Sequence, residues 1–234
     1  MSLPFTYLAV EIESNDGQAH DVQVYFDVTG GKTSLATQYL WLLISLVEYL
    51  GGDLGQDVMT WGTSIKNDII YHDFSLQTPQ KYIEKNLKIL YGRGFHATTM
   101  TQDVTYATGA HYNCRSMFGT KGQLDGTRDI KFRPAAKDWP VMALSYSLGT
   151  IMQTQQPLVF ALGHARDPVV EYQRPNNVVE ERSLFFHTSF DTTEDAVSSF
   201  SPQVGYFSSI NSLPLAFFLH QGLSERFQGS QCIR

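Results

Sequence analysis

The sequence predicts an all-β protein with the architecture of a β-sandwich. Short segments in which apolar and polar residues alternate recur along the chain, separated by turns that contain glycine and asparagine, a pattern typical of sandwiches. Aromatic residues, which pack well on pleated sheets, are abundant at 15 Phe, 12 Tyr and 3 Trp. No glycine-rich phosphate loop follows a strand, so the pattern does not favour a βαβ fold.

The first element is predicted to be a β-hairpin. Residues 6–12 and 22–28 each place alternate apolar side chains on one face. Between them, Asp16-Gly17 supplies the positive φ that a tight turn requires. We therefore expect these two strands to pair with each other.

The same alternation predicts further strands downstream. His72 lies on the apolar face of residues 70–76, whereas Asp73 points to the opposite face. Because neighbours in a strand point apart, His72 and Asp73 are poorly placed to act as an acid–base pair. Strands are also predicted at residues 95–100, 104–108, 140–148, 158–162, 169–172 and 183–190.

Two segments are predicted to be helical. An apolar helix near 33–50 lies between two glycine pairs and is shorter than the roughly 20 residues of a membrane span, so no membrane span is expected. A short helix near 191–200 has Thr192 or Thr193 as its cap, with Glu194 and Asp195 in its first turn.

Composition excludes several classes of partner and cofactor. The net charge is −6 and no basic patch stands out, so nucleic acid is not expected as a partner. No Cys/His spacing suits a metal, and no cofactor motif is present. The two cysteines, Cys114 and Cys232, either form a disulfide or are one buried thiol and one thiol in the tail.

The sharpest local candidate for a binding site is residues 163–168. His164, Arg166 and Asp167 place a base, a fixed cation and a carboxylate within a few residues, which could orient a substrate carboxylate. The alternative is that Arg166 and Asp167 pair with each other at the end of a strand. No nucleophile lies beside them in the sequence.

Other polar residues are predicted to be structural. His96 and His111 are expected to be hydrogen-bonded at the surface, because metal sites need several converging donors. Asp125, Arg128 and Asp129 form a charged turn, either a solvated loop or an interdomain one. Ser116, Ser145 and Ser147 lack the context of a nucleophile elbow, so the catalytic residues stay unassigned.

Several motifs occur in a fixed order between residue 2 and about residue 200. They are SLPFTYL at 2–8, DVQVY at 21–25, GD at 52–53, WGT at 61–63, YHDFSLQTP at 71–79, WPV at 139–141 and GHARDP at 163–168. Together they resemble the N-terminal domain of the glutaminase A family. The resemblance implies a β-sandwich that, in large secreted fungal or bacterial proteins, precedes an all-α toroidal domain. The activity that it implies is hydrolysis of L-glutamine to L-glutamate and ammonia.

The chain is expected to be an incomplete version of that domain. We assign residues 1–200 to the sandwich, interrupted by an insert at 31–51, and residues 201–234 to an unmatched tail. The start lies inside the β domain and carries no signal peptide, although the family is extracellular. The helical domain, the expected partner, is missing. Retained intron sequence would explain the insert, and sequencing the transcript would test this.

Three interpretations therefore stand side by side. In the first, the chain is the non-catalytic domain of a glutaminase A-like amidohydrolase and is inactive alone. In the second, it is a carbohydrate-binding or glycan-hydrolase accessory sandwich, since the fold does not choose between these functions. In the third, it is a non-functional fragment of a gene model, with exposed sheet edges.

Overall fold

The computed structural model describes residues 3–29, 57–85, 88–154 and 156–199, and within them the predicted all-β fold is confirmed. The predicted helix near 33–50, the insert at 31–51 and the tail at 201–234 lie outside the described residues. Every ladder between the described strands is antiparallel. The strands are β1 Phe5–Val10, β2 His20–Thr29, β3 Val58–Lys66, β4 Ile69–Leu76, β5 Glu84–Lys85, β6 Lys88–Ile89, β7 Arg93–Thr99, β8 Val104–Ala110, β9 Arg133–Pro134, β10 Pro140–Ile151, β11 Leu158–Ala165, β12 Val170–Arg174 and β13 Val178–Arg182.

Two main sheets form the sandwich. The larger one has six strands in the order β1-β11-β7-β4-β3-β9, and the smaller one has three in the order β2-β10-β8. Two further pairs, β12 with β13 and β5 with β6, form separate two-stranded sheets. Strands β3 and β4 are joined through Asn67 and Asp68, whose φ angles of 50° and 59° suit the tight turn of a hairpin.

The main core lies between the two sheets. The three-stranded sheet contributes Val24, Val28, Met142 and Leu144, and the six-stranded sheet contributes Met59, Trp61, Ile70, Phe74, Phe160 and Leu162. The outer faces are also covered. Helix α1, His111–Lys121, packs on the smaller sheet through Cys114 and Phe118, and Val197 of helix α2, Thr193–Ser198, packs on the larger one.

The predicted first hairpin is wrong. Strand β1 pairs with β11 in the six-stranded sheet, and β2 pairs with β10 in the three-stranded sheet, so the chain crosses from one sheet to the other. The apolar faces predicted for the two strands nevertheless meet, since Leu8, Val10, Val24 and Phe26 belong to one cluster. Alternation identifies the face that a strand buries, but two strands facing each other across a sandwich carry the same alternation as two that pair.

The helical segments agree with the sequence predictions only in part. Thr192 caps α2 in a reciprocal pair with Asp195, which confirms the predicted helix start. Residues 183–190 were predicted as a strand, and this prediction is wrong, because Phe185–Thr188 forms a 3₁₀ helix. Helix α1 was not predicted. Its buried residues are Cys114 and Phe118 alone, which is too narrow an apolar stripe to stand out in the sequence.

Candidate functional site

The segment that sequence analysis singled out lies at the end of β11, where His164 is packed tightly. A Cβ atom on Gly92 would overlap His164 Nε2 and lie 2.9 Å from the Ala165 carbonyl oxygen, so glycine makes room for the imidazole. Burial and the nearby Arg166 lower the pKa of His164 to about 4. The ring is therefore neutral at pH 7, and its Nε2 has no hydrogen-bond partner among the described residues.

Arg166 and Asp167 have separate partners. The guanidinium carbon of Arg166 lies 6.0 Å from the centre of the Tyr91 ring, a cation–π distance. Asp167 Oδ2 lies 3.8 Å from His187 Nε2. The alternative of an ion pair between Arg166 and Asp167 is not found among the ion pairs of the described residues. The two side chains connect the end of β11 to neighbouring loops instead of converging on one point.

Two other histidines occupy the centre of the sandwich. His72 and His96 are directly opposite each other on β4 and β7, fully buried, with ring centres 6.1 Å apart. His72 Nε2 donates to the Ala143 carbonyl at 3.0 Å and its Nδ1 meets Thr63 Oγ1 at 2.9 Å. His96 Nδ1 lies 3.3 Å from the Met142 carbonyl oxygen.

The expected surface position of His96 is wrong. Strand β7 is central in its sheet, and both of its faces are covered, so even a polar residue on it is buried. Burial lowers the pKa of His72 to about 4 and, together with the neighbouring His72, lowers the pKa of His96 well below its ordinary value. Both rings are neutral at pH 7 and enclosed, so neither can exchange a proton with a substrate.

The prediction that His72 and Asp73 point apart is confirmed, because Asp73 lies in an ion-pair network on the outer face of the six-stranded sheet. Its carboxylate accepts from Arg93 Nη2 at 2.8 Å, and Arg93 also pairs with Glu194. Lys66 reaches Asp195 at 2.5 Å. These contacts hold the first turn of α2 on the sheet, so the charges serve to position a helix.

The charged turn at residues 125–133 is fastened to the sandwich. Arg133 Nη1 donates to Asp129 Oδ2 at 2.7 Å, and Trp61 Nε1 donates to the Asp129 carbonyl at 2.7 Å. Arg128 donates to the Tyr106 hydroxyl at 2.9 Å. The contacts that the structure gives Asp129 and Arg128 are therefore structural.

The remaining reactive groups are also engaged or buried. His111 Nδ1 lies 3.1 Å from the Asp138 carbonyl oxygen, as expected of a hydrogen-bonded residue. Cys114 is a buried free thiol, and burial raises its pKa to about 12; Cys232 lies outside the described residues. Within the described ranges, no cluster of three or more His, Cys, Asp or Glu suits a metal, and no helix has the length and apolar character to cross a membrane.

An exposed apolar face, which sequence reasoning missed, lies on the β12–β13 hairpin. The register pairs Val170 with Arg182, Tyr172 with Glu180 and Arg174 with Val178, so these six residues share one face. Val170, Tyr172 and Val178 are each at least half exposed. Glu180 pairs with both Arg174 and Arg182, and the opposite face contacts Lys81 through Glu181. We call this the hairpin face.

These features define an antiparallel β-sandwich domain in which the hydroxyl–imidazole pair of Thr63 and His72 has its imidazole fully buried in the core. The chain belongs to the family described as Domain of unknown function (DUF5127), whose model matches residues 1–209. It is also 29% identical over 201 residues to Glutaminase A of Aspergillus oryzae. That match covers 85% of this chain and 26% of the relative, so the chain spans about a quarter of the relative's length. The resemblance drawn from the sequence motifs is confirmed.

Proposed function

We propose that this chain is a non-catalytic domain of a glutaminase A-like amidohydrolase and that hydrolysis of L-glutamine to L-glutamate and ammonia belongs to the rest of that protein. The observation that carries the proposal is the 26% of the relative that the chain covers. About three quarters of the relative has no counterpart in this chain and could hold the chemistry.

The state of the reactive groups supports a non-catalytic role. An acid–base catalyst needs a pKa near the working pH and contact with the substrate, whereas His72 and His96 are enclosed in the core with lowered pKa values. A cysteine nucleophile acts as the thiolate, whereas the pKa of about 12 keeps Cys114 as the protonated thiol at pH 7. His164 is neutral and fills the space above Gly92.

The hairpin face supports a role in domain packing. A two-stranded hairpin alone is marginally stable in water, and this one exposes Val170, Tyr172 and Val178. Arg174, Glu180 and Arg182 place charged groups beside these apolar side chains on the hairpin face. In this proposal the hairpin face packs on the helical domain of the complete protein. The hairpin face then forms one wall of the cleft between the two domains.

A domain exchange tests the non-catalytic role. The matching segment of A. oryzae Glutaminase A is replaced by this chain, and ammonia release from L-glutamine is measured for the hybrid, for the chain alone and for the remainder alone. We expect activity in the hybrid and none in the chain alone. Ammonia release by the chain alone would contradict the proposal.

A pair of substitutions in the hybrid tests the hairpin face. Tyr172→Ser is expected to weaken domain packing and lower the melting temperature of the hybrid, because Tyr172 is 52% exposed in this chain and is buried in the proposed interface. Met152→Ser is the matched control, since Met152 is 52% exposed, as Tyr172 is, and lies outside the hairpin. Equal changes in melting temperature for the two substitutions would contradict the placement of the hairpin face in the interface.

A further inference from the structure

A cavity of about 480 Å³ lies on the outer face of the three-stranded sheet, past the end of α1. This volume falls within the roughly 300–1,000 Å³ typical of small-ligand sites. Thr105, Ser145, Lys121 and Gln123 are among its lining residues, and we call the hydrogen-bonded pair Thr105–Ser145 the floor because Ser145 is almost fully buried. Gly122 ends α1 with a φ of 70°, the left-handed conformation that turns the chain off the helix and along the cavity.

The outer face of the three-stranded sheet changes from apolar to polar along β10. Val141 and Ala143 of β10 lie beneath α1 in an apolar cluster, whereas Ser145 and Ser147, the next residues on the same face, line the cavity. Polar walls bind an occupant through hydrogen bonds and gain little from apolar contact. The cavity is therefore suited to a polar ligand and differs from a gap in the hydrophobic core.

The floor retains hydrogen-bonding capacity. Ser145 Oγ and Thr105 Oγ1 lie 2.6 Å apart, and Thr105 Oγ1 also accepts from the Leu124 amide at 2.9 Å. Two hydroxyls carry two donors and four acceptor positions. Their mutual bond and the amide use one donor and two acceptors, so one donor and two acceptors remain. Ser145 is only 2% exposed, which fixes these groups in place.

The rim carries carboxylates that pair with nothing within the described part of the chain. Asp21 and Asp103 line the cavity and take part in none of the ion pairs there, in contrast to Asp27, Asp73 and Asp195. A carboxylate accepts two hydroxyl donors readily. With Lys121 as the single cation of the lining, the local charge is negative and disfavours an anionic ligand.

We propose that this cavity binds an uncharged polyhydroxylated ligand of the size of a mono- or disaccharide. Carboxylates and side-chain amides at the rim receive and donate hydrogen bonds to adjacent hydroxyls, while the Thr105–Ser145 floor fixes the depth of the ligand. The site is independent of the proposed function, because it rests on the sheet face beside α1 and on neither the hairpin face nor the domain exchange.

Calorimetric titration of the 234-residue chain tests the site, with glucose, galactose, mannose, N-acetylglucosamine, cellobiose and maltose as separate probes. We expect saturable binding of at least one sugar. Asp103→Ala and Gln123→Ala are each expected to weaken it roughly three- to tenfold, the effect of one lost hydrogen bond. Asp191→Ala and Gln156→Ala are the matched controls, since both residues are exposed and lie outside the lining.

Three results would overturn the proposal. The first is no saturable binding of any probe by the folded chain, with folding checked by a cooperative thermal melt. The second is binding that the control substitutions weaken as much as the cavity substitutions do. The third is binding of spermidine through Asp103 without binding of any sugar, which would assign the carboxylates to a cationic amine. Asp103→Asn retains one acceptor oxygen, so its sugar affinity is expected to lie between that of the Asp103→Ala variant and that of the unchanged chain.

Discussion

Acidification is expected to destabilise the sandwich through its buried histidines before its carboxylates titrate. His72 is fully buried and its pKa is about 4 in the folded chain, against 6.5 for an ordinary histidine. The unfolded chain therefore binds a proton near pH 6.5 that the folded chain does not bind until about pH 4. By linkage, stability is retained above pH 6.5 and is lost progressively as the pH falls towards 4.

The magnitude follows from the two pKa values. The difference between 6.5 and about 4, at about 1.4 kcal/mol per pH unit, removes about 3 kcal/mol from the free energy of unfolding. His96 and His164 have lowered pKa values as well and act with the same sign. Against a total stability of about 5–15 kcal/mol for a typical domain, His72 alone is a substantial fraction.

Urea denaturation at closely spaced pH values between 7.5 and 4.5 measures the effect. We expect the slope of unfolding free energy against pH to fall by up to about 1.4 kcal/mol per pH unit in the His72→Gln variant, because one linked proton is lost. Ile70→Val, a substitution at a fully buried residue near His72 that removes no titratable group, is the control and is expected to keep the full slope. Identical slopes in the two variants would refute the assignment of the acid sensitivity to His72.

Three further outcomes are expected. Gly163→Ala destabilises the fold by about 1–3 kcal/mol, because the new Cβ would overlap the Phe5 ring and lie 2.6 Å from the Pro4 carbonyl oxygen; Gly119→Ala, in open space on α1, is the control and stabilises by up to about 1 kcal/mol; equal melting temperatures would contradict this contrast. Thr192→Ala costs about 1 kcal/mol in urea unfolding through loss of the α2 cap, whereas Thr192→Ser retains most of it; an Ala variant as stable as the Ser variant would contradict the cap. Iodoacetamide at pH 8 leaves Cys114 unmodified in the folded chain, because burial holds its pKa at about 12, and modifies it after unfolding; peptide mapping that finds labelled Cys114 in the folded chain would contradict its burial.

Buried faces could be predicted from the sequence, whereas strand partners could not. Alternation in residues 6–12, 22–28 and 70–76 identifies the side chains that meet in the core. The turn at Asp16-Gly17 reads as a hairpin, yet β1 and β2 lie in different sheets. Both arrangements bury the same side chains, so the choice depends on contacts with β10 and β11, more than a hundred residues away in the sequence. Local pattern carries no information at that distance.

The polar cavity could not be predicted for a related reason. Its floor and rim come from strands β2, β8 and β10 and from Asp103, which directly precedes β8. These segments are distant in the chain, and each residue alone resembles an ordinary solvent-facing position. Only the order β2-β10-β8 sets Gln23 opposite Ser147 and Thr105 opposite Ser145. The register that turns Val141 and Ala143 towards α1 turns Ser145 and Ser147 towards the cavity, because alternate residues of one strand share a face. Packing of the helix and formation of the polar site are thus two consequences of one strand register, and a one-residue slip of β10 would abolish both.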